Sequence, residues 1–143
     1  MQKNLKLHYD ISGDDYTRAG EASAQLKQVL RQLGLSSSII RKVSIAMYEG
    51  EINMVIHANG GSIDVEIDSA CISLVLRDTG PGISEIGLAM KEGYSTASEN
   101  VRSMGFGAGM GLPNMRKHSD YMKLESTPGV GTTVYMKISI GEE

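Results

Sequence analysis

The sequence lacks several features that would determine its location or its partners. It has a single cysteine, Cys71, so an internal disulfide is impossible and a reducing compartment is expected. No apolar run is long enough to span a membrane, and no basic segment followed by an apolar stretch opens the chain. The net charge is −3 and no basic face is evident, which argues against contacts with the phosphates of nucleic acid. We therefore expect a cytoplasmic protein with no membrane and no nucleic-acid partner.

Two common nucleotide-binding patterns are also absent. No Gly-Lys-Ser/Thr occurs, which excludes a P-loop. The stretch "GFGAGMGLPNM", residues 105–115, is not a dinucleotide fingerprint, because Met110 stands where the third glycine would be. Its glycines nevertheless offer unhindered backbone N–H groups that lead into a predicted helix, where an anion is favoured. By itself the stretch is equally consistent with a flexible linker.

Hydrophobic periodicity indicates one α+β domain over residues 1–143. We expect a two-layer sandwich in which a mixed, mostly antiparallel sheet is covered on one face by helices. Asp14 or Asp15 is expected to cap the first helix, and Gly34 to end it. The predicted elements are a strand at 4–12, helices at 15–33 and 39–58, strands at 62–68 and 71–78, a short helix at 84–92, a loop at 93–111, a helix at 112–120, and strands at 121–127 and 132–140.

The second predicted helix carries the first candidate site. Glu49, Asn53 and His57 recur every four residues and therefore share a helix face. A carboxylate and a carboxamide one turn apart suit a base and a ligand for Mg²⁺, although a solvated polar stripe has the same pattern. Gly50 lies inside this helix at a cost of about 1 kcal/mol relative to alanine. Either another group approaches the helix backbone closely there, or the glycine has no structural or functional role.

The segment "RDTGPGI" is the second candidate. Asp78 ends an apolar strand and is followed by Gly80 and Gly82. A carboxylate beside a glycine that admits a flat ring suits recognition of an exocyclic amine such as that of adenine. An ordinary Asp-x-Gly turn is the alternative.

In order and spacing, these segments resemble the Bergerat-type (GHKL) ATP-binding fold of gyrases, heat-shock chaperones, histidine kinases and anti-sigma-factor serine kinases. "YEGEINMVIHA" resembles the N box, "DTGPGI" the first glycine box, "GMGL" the second, and "GVGTTVYMKI" the closing strand with its nucleotide-contacting threonine. The resemblance covers nearly the whole chain. "EGYSTASENVRSMGFGAGMGLPNM" is most similar to the small serine kinases and switch proteins of bacterial partner-switching systems, with a longer lid than that branch usually has.

The resemblance implies a role for each matching residue. Glu49 would be the catalytic base toward a serine hydroxyl, and Asn53 would hold Mg²⁺. Asp78 would accept the adenine amine, with Thr132 beside it. The other implied ATP-binding residues are Gly80 and Gly82 at the ring, Arg102 at the γ-phosphate or an acidic partner, and Gly105, Gly107, Gly109 and Gly111 around the phosphates.

The implied function is that of an ATP-dependent serine/threonine protein kinase that phosphorylates a small regulatory protein and forms a homodimer. The alternative is a non-catalytic module, gated by ATP or ADP, that sequesters a sigma factor or activates another partner. A histidine-kinase fragment is a third, less favoured interpretation, because the chain has its own first strand and because His57, within the N box, is a poor candidate for the phosphorylated histidine.

Overall fold

The computed structural model describes residues 4–13, 18–57, 60–78, 111–127 and 130–140. These residues form a five-stranded sheet and three helices, which confirms the predicted α+β class. The sheet has the strand order β1-β2-β3-β5-β4. In chain order the elements are β1 (Leu5–Ser12), α1 (Glu21–Gln32), α2 (Ser37–His57), β2 (Gly60–Ile67), β3 (Cys71–Asp78), α3 (Gly111–Lys117), β4 (Tyr121–Thr127) and β5 (Gly131–Ser139).

Alternating apolar residues give the sheet one buried face. All four strand pairings in the described part of the chain are antiparallel, where the sequence predicts a partly mixed sheet. Side chains alternate between the two faces of a strand, so every second residue points toward the helices. The buried residues of the three central strands are Ile63, Val65, Ile67, Ile72, Leu74, Leu76, Val134, Met136 and Ile138. They pack with apolar residues of the helices into one core.

The first helix begins later than its periodicity predicts. It begins at Glu21 rather than near residue 15, after Gly20 adopts a left-handed conformation with φ of 93°. Asp14 and Asp15, the predicted caps, lie outside the described residues. The backbone N–H groups of the first turn are instead bound by a carboxylate of α2, as described below. Gly34, with φ of 77°, follows the end of α1 as predicted.

The other helices also differ slightly from prediction. Helix α2 begins two residues early, at Ser37, because Ser36 Oγ accepts a hydrogen bond from the Ile39 backbone N–H at 3.2 Å. Helix α3 ends at Lys117 rather than near residue 120. The predicted helix at 84–92 and most of the loop that follows it lie outside the described residues. None of the described helices is both long enough and apolar enough to cross a membrane.

Candidate active site

Glu49 and Asn53 lie one turn apart on α2, and both side chains are half-buried. Glu49 Oε2 accepts a hydrogen bond from Asn114 Nδ2 of α3 at 3.1 Å. The side chain of His57, the third polar residue of the predicted stripe, lies outside the described part. The structure therefore places the carboxylate and the carboxamide on one helix face, with the carboxylate turned toward α3.

Gly50 brings this part of α2 against the sheet. A Cβ atom at Gly50 would overlap Cδ2 of Leu76 on β3 and would lie 3.4 Å from Sδ of Met115 on α3. The glycine is therefore a close-approach residue. Asp78 follows Leu76 by two positions on β3, so both side chains point to the helix-covered face. The contact between Gly50 and Leu76 therefore seats α2 on β3 two residues before Asp78.

Asp78 and Thr132 face each other across β3 and β5. They are register partners, and the Thr132 backbone N–H donates to Asp78 Oδ1 at 3.2 Å. Thr132 Oγ1 shares a hydrogen bond of 2.9 Å with Oγ of Ser126, its register partner on β4. A carboxylate and two hydroxyls therefore form a polar row across three strands. Sequence reasoning missed Ser126, which only the β4–β5 register aligns with Thr132.

Glu51 is a second carboxylate on α2 that sequence reasoning missed. It is 2% exposed. Its Oε2 accepts from the backbone N–H groups of Gly20 at 3.0 Å and Ala22 at 3.2 Å. Its Oε1 accepts from the N–H of Ser23 at 3.0 Å and from the Ser23 hydroxyl at 2.7 Å. Glu51 therefore caps the N-terminus of α1, and its bonds leave it a structural role rather than a chemical one.

The electrostatics around α2 reflect these two carboxylates. Tyr48 precedes Glu49, and its pKa is raised by partial burial first and then by the negative charges of Glu49 and Glu51. Within the described residues, no group of three or more His, Cys, Asp or Glu side chains is arranged to hold a metal ion.

Most residues predicted to contact the phosphates and the adenine ring lie outside the part of the chain that the structure describes. Gly80, Gly82 and Arg102 lie outside the described residues, as do Gly105, Gly107 and Gly109. Gly111 is the first residue of α3, one position before the predicted helix start.

On the opposite face of the sheet, His8 lies between two carboxylates. Its Nδ1 is 2.6 Å from Asp64 Oδ1, and its Nε2 is 2.9 Å from Asp10 Oδ1. Arg77 pairs with the second oxygen of Asp64 at 2.9 Å. The hydrogen bond to Asp64, followed by that to Asp10, raises the pKa of His8. This exposed cluster faces away from α2 and does not belong to the site.

Comparison with known proteins identifies the family. Residues 52–142 match the family described as histidine kinase-, DNA gyrase B-, and HSP90-like ATPase. The chain belongs to this ATPase family. The match begins within α2 and continues through β5, so it includes Asn53, Asp78 and Thr132. ATP is therefore the nucleotide of this fold.

Similar curated proteins indicate to which subgroup of this ATPase family the chain belongs. The chain is 32% identical to an anti-sigma F factor of Halalkalibacterium halodurans over 144 residues, which cover 95% of this chain and 90% of the relative. It is 29% identical to the serine/threonine-protein kinase RsbT of Bacillus subtilis over 118 residues, covering 79% and 83% of the two chains. The family is thus that of the anti-sigma-factor kinases, as the motifs indicate.

Solved structures agree on the fold. The structure of the RsbU and RsbW domains of Rv1364c from Mycobacterium tuberculosis superposes with a TM-score of 0.61 at 17% identity. That match covers 97% of this chain, which spans a third of the longer protein (33%). The mycobacterial sensor histidine kinase MprB superposes with a TM-score of 0.54, also at 17% identity, over 94% of this chain and 97% of that one. At this identity the likeness concerns the fold alone.

Proposed function

We propose that this protein is an ATP-dependent serine/threonine protein kinase of the anti-sigma type, acting in the cytoplasm on a small regulatory protein. The observation that carries the proposal is the Glu49 carboxylate, half-buried one turn before Asn53 on the helix that contacts the Asp78 strand. A non-catalytic nucleotide sensor has no need of such a base. One relative is named as a serine/threonine-protein kinase and another as an anti-sigma factor, which supports the same choice. A sigma factor or another effector is a further proposed partner, and a homodimer the proposed assembly.

Adenine recognition is assigned to the polar row at the end of β3. The Asp78 carboxylate would accept the exocyclic amine, because a carboxylate is an acceptor only and the amine is a donor. Thr132 supports it through the backbone N–H that already donates to Asp78 Oδ1. We assign Gly80 and Gly82 to the approach of the ring. Arg102, Gly105, Gly107, Gly109 and Gly111 are assigned to the phosphates.

Phosphoryl transfer requires mainly positioning and charge neutralisation. Glu49 would accept the proton of the acceptor serine or threonine hydroxyl as its oxygen bonds to the γ-phosphorus. The bond from that phosphorus to the bridging oxygen breaks in the same exchange, and ADP leaves with the electron pair. One protein carboxylate, held in a fixed direction, is sufficient for this proton transfer.

The Asn53 side chain is suited to bind Mg²⁺. Carboxylate and carboxamide oxygens are the hard donors that Mg²⁺ prefers. The Asn53 side chain is half-buried on the face of Glu49, and no described residue hydrogen-bonds to it, so its oxygen is available. When bound, Mg²⁺ supplies positive charge that neutralises the phosphate oxygens.

Nucleotide binding tests the adenine assignment. Asp78→Asn replaces an acceptor oxygen by a donor, and we expect it to weaken ADP binding about 10- to 100-fold by calorimetry. Asp68→Asn is the matched control, because Asp68 lies beyond the opposite end of β3 and accepts N–H bonds from Ala70 and Cys71. Unchanged ADP affinity in Asp78→Asn would refute the assignment.

Transfer of a labelled phosphate tests the base. The acceptor is the protein captured from a source-cell lysate by the immobilised chain, and the donor is γ-labelled ATP with Mg²⁺. Glu49→Ala should retain nucleotide binding and lose transfer by about 10²- to 10⁴-fold. Glu125→Ala, which removes an exposed carboxylate from β4, is the control. Transfer at the wild-type rate in Glu49→Ala would exclude the base role. Nucleotide binding without any transfer by the wild type would favour the non-catalytic alternative.

A further inference from the structure

Glu49 has a hydrogen-bond partner on a different helix, 65 residues further along the chain. Asn114 Nδ2 on α3 donates to Glu49 Oε2 at 3.1 Å, and both side chains are half-buried. Within the described part of the chain, Asn114 is the only residue that donates a hydrogen bond to this carboxylate. A carboxylate can rotate about its terminal bond, so a single fixed donor decides which oxygen is turned away from α3.

Packing of the next residue on each helix supports this contact. Met115 follows Asn114 and is 1% exposed, with Sδ 3.4 Å from the position that a Cβ at Gly50 would take. Met115 therefore lies at ordinary van der Waals distance from Gly50, so α2 and α3 are packed against each other beside the Glu49–Asn114 hydrogen bond. The Asn114 carbonyl accepts from the His118 backbone N–H at 3.1 Å and from its ring Nδ1 at 2.9 Å. Asn114 therefore lies on a helical turn that is itself held in place.

We propose that Asn114 is a positioning residue for phosphoryl transfer, an inference that rests on the proposed role of Glu49 as the base. Its carboxamide holds Glu49 Oε2, so that Oε1 is presented to the acceptor hydroxyl. The proton of that hydroxyl then moves to Oε1 while its oxygen bonds to the γ-phosphorus and ADP leaves. Asn114 itself neither donates nor accepts a proton in this step.

A carboxamide suits this position chemically. It donates a hydrogen bond and carries no charge at any working pH. A lysine or arginine here would pair with Glu49 and weaken it as a base, whereas an aspartate would repel it. The donor also belongs to α3, the helix that begins at Gly111 of the proposed phosphate segment. The base is thus oriented from the side of the site that we assign to the phosphates.

Two near-isosteric variants test the proposal in the labelled-ATP assay described above. Asn114→Leu removes the donor and should lower kcat about 10- to 100-fold, with the KM for ATP within about twofold. Asn114→Asp places a second carboxylate beside Glu49 and should shift the acidic limb of the pH–rate profile upward by about one unit. An unchanged profile in Asn114→Asp would show that position 114 does not act on Glu49, and the double variant below separates a positioning role from a structural one. Arg116→Ala, on the exposed side of the same helix, should retain wild-type kcat and profile.

A double variant and a spectrum separate this proposal from the one on which it rests. If Asn114 acts through Glu49, adding Asn114→Leu to Glu49→Ala should lower the residual rate no further. In ¹H–¹⁵N spectra, the Asn114 side-chain amide should shift on Glu49→Ala and stay in place on Glu125→Ala. Wild-type transfer by Glu49→Ala would defeat the base role. Loss of transfer by Glu49→Ala, together with wild-type kcat in Asn114→Leu, would defeat the positioning role alone.

Discussion

Replacing Glu51 by glutamine should destabilise the fold, whereas the same change at Glu49 should not. The two glutamates are two residues apart on α2 and differ in their surroundings. Glu51 is 2% exposed and accepts four hydrogen bonds at the start of α1. Glu49 is half-buried and, among the residues that the structure describes, accepts one hydrogen bond, from Asn114. The substitution removes the same charge at both positions, so the pair isolates the effect of the environment.

The magnitude follows from the donors that Glu51→Gln would leave without an acceptor. One carboxylate oxygen becomes an NH₂ group, which points at two donors instead of accepting from them. Each buried donor left unpaired costs about 1–3 kcal/mol. We expect the free energy of unfolding to fall by about 2–4 kcal/mol in Glu51→Gln. In Glu49→Gln the amide oxygen can still accept from Asn114, and we expect a change below about 1 kcal/mol.

Urea unfolding followed by circular dichroism measures both changes, and thermal unfolding gives a second reading. At about 3 °C per kcal/mol for a domain of this size, the melting temperature of Glu51→Gln should fall by about 6–12 °C. Glu21→Gln is a control at the same end of α1, because Glu21 is exposed and its ion-pair partner in the described part of the chain is the exposed Arg18. Well below its melting temperature, Glu51→Gln should still transfer phosphate. Equal stability of Glu51→Gln and Glu49→Gln would refute the capping role.

Three further changes have expected results of known sign. Gly50→Ala should lower the free energy of unfolding, measured in urea, by up to about 2 kcal/mol. The new methyl group would overlap the buried Leu76 side chain, and this cost outweighs the gain in helix propensity. A stabilised variant would show that α2 does not lie this close to β3. The pKa of His8 is raised above 6.5 by Asp64 and Asp10, so the stability that it contributes is complete below about pH 6.5 and is lost as pH rises through the raised value. His8→Gln should remove that part of the pH dependence, and an NMR titration that finds no raised pKa would contradict it. Ser44→Ala should raise the free energy of unfolding, measured by thermal unfolding, by about 1 kcal/mol, since Ser44 Oγ is buried without a hydrogen-bond partner among the described residues. A lower stability of the variant would show that Ser44 Oγ does have a partner.

The strands could be predicted well from the sequence, because their signal is local. Alternation in β1, β2 and β5 depends only on which residues of a short segment are apolar, and the observed bounds agree within about two residues. The start of α1 could not be predicted in the same way. It depends on Glu51, which lies 28 to 31 residues further along the chain from the groups that it binds. A cap supplied by another helix leaves no pattern beside the helix that it caps.

Parts of the candidate site could also be predicted, where their signal is local in the sequence. Glu49 and Asn53 share a helix face by their spacing alone, and Asp78 is recognisable as a strand end. Ser126 and Asn114 had no such signal, because each depends on contact between elements that are distant in the chain. Gly50 was visible as an anomaly, but its cause, the side chain of Leu76, appears only when α2 is packed on β3.

The stretch "EGE" at residues 49–51 explains why α2 is central to the fold and to the site. Successive helical residues point about 100° apart, so three neighbours can reach three different elements. Glu49 contacts α3 through Asn114, Gly50 admits Leu76 of β3, and Glu51 binds the start of α1. The proposed base is therefore held by the same turn that joins the sheet to both other described helices. A helix fixed on three sides keeps a side chain in one orientation more strictly than its own propensity would. This is the property that a single catalytic carboxylate needs, because phosphoryl transfer gains chiefly from positioning.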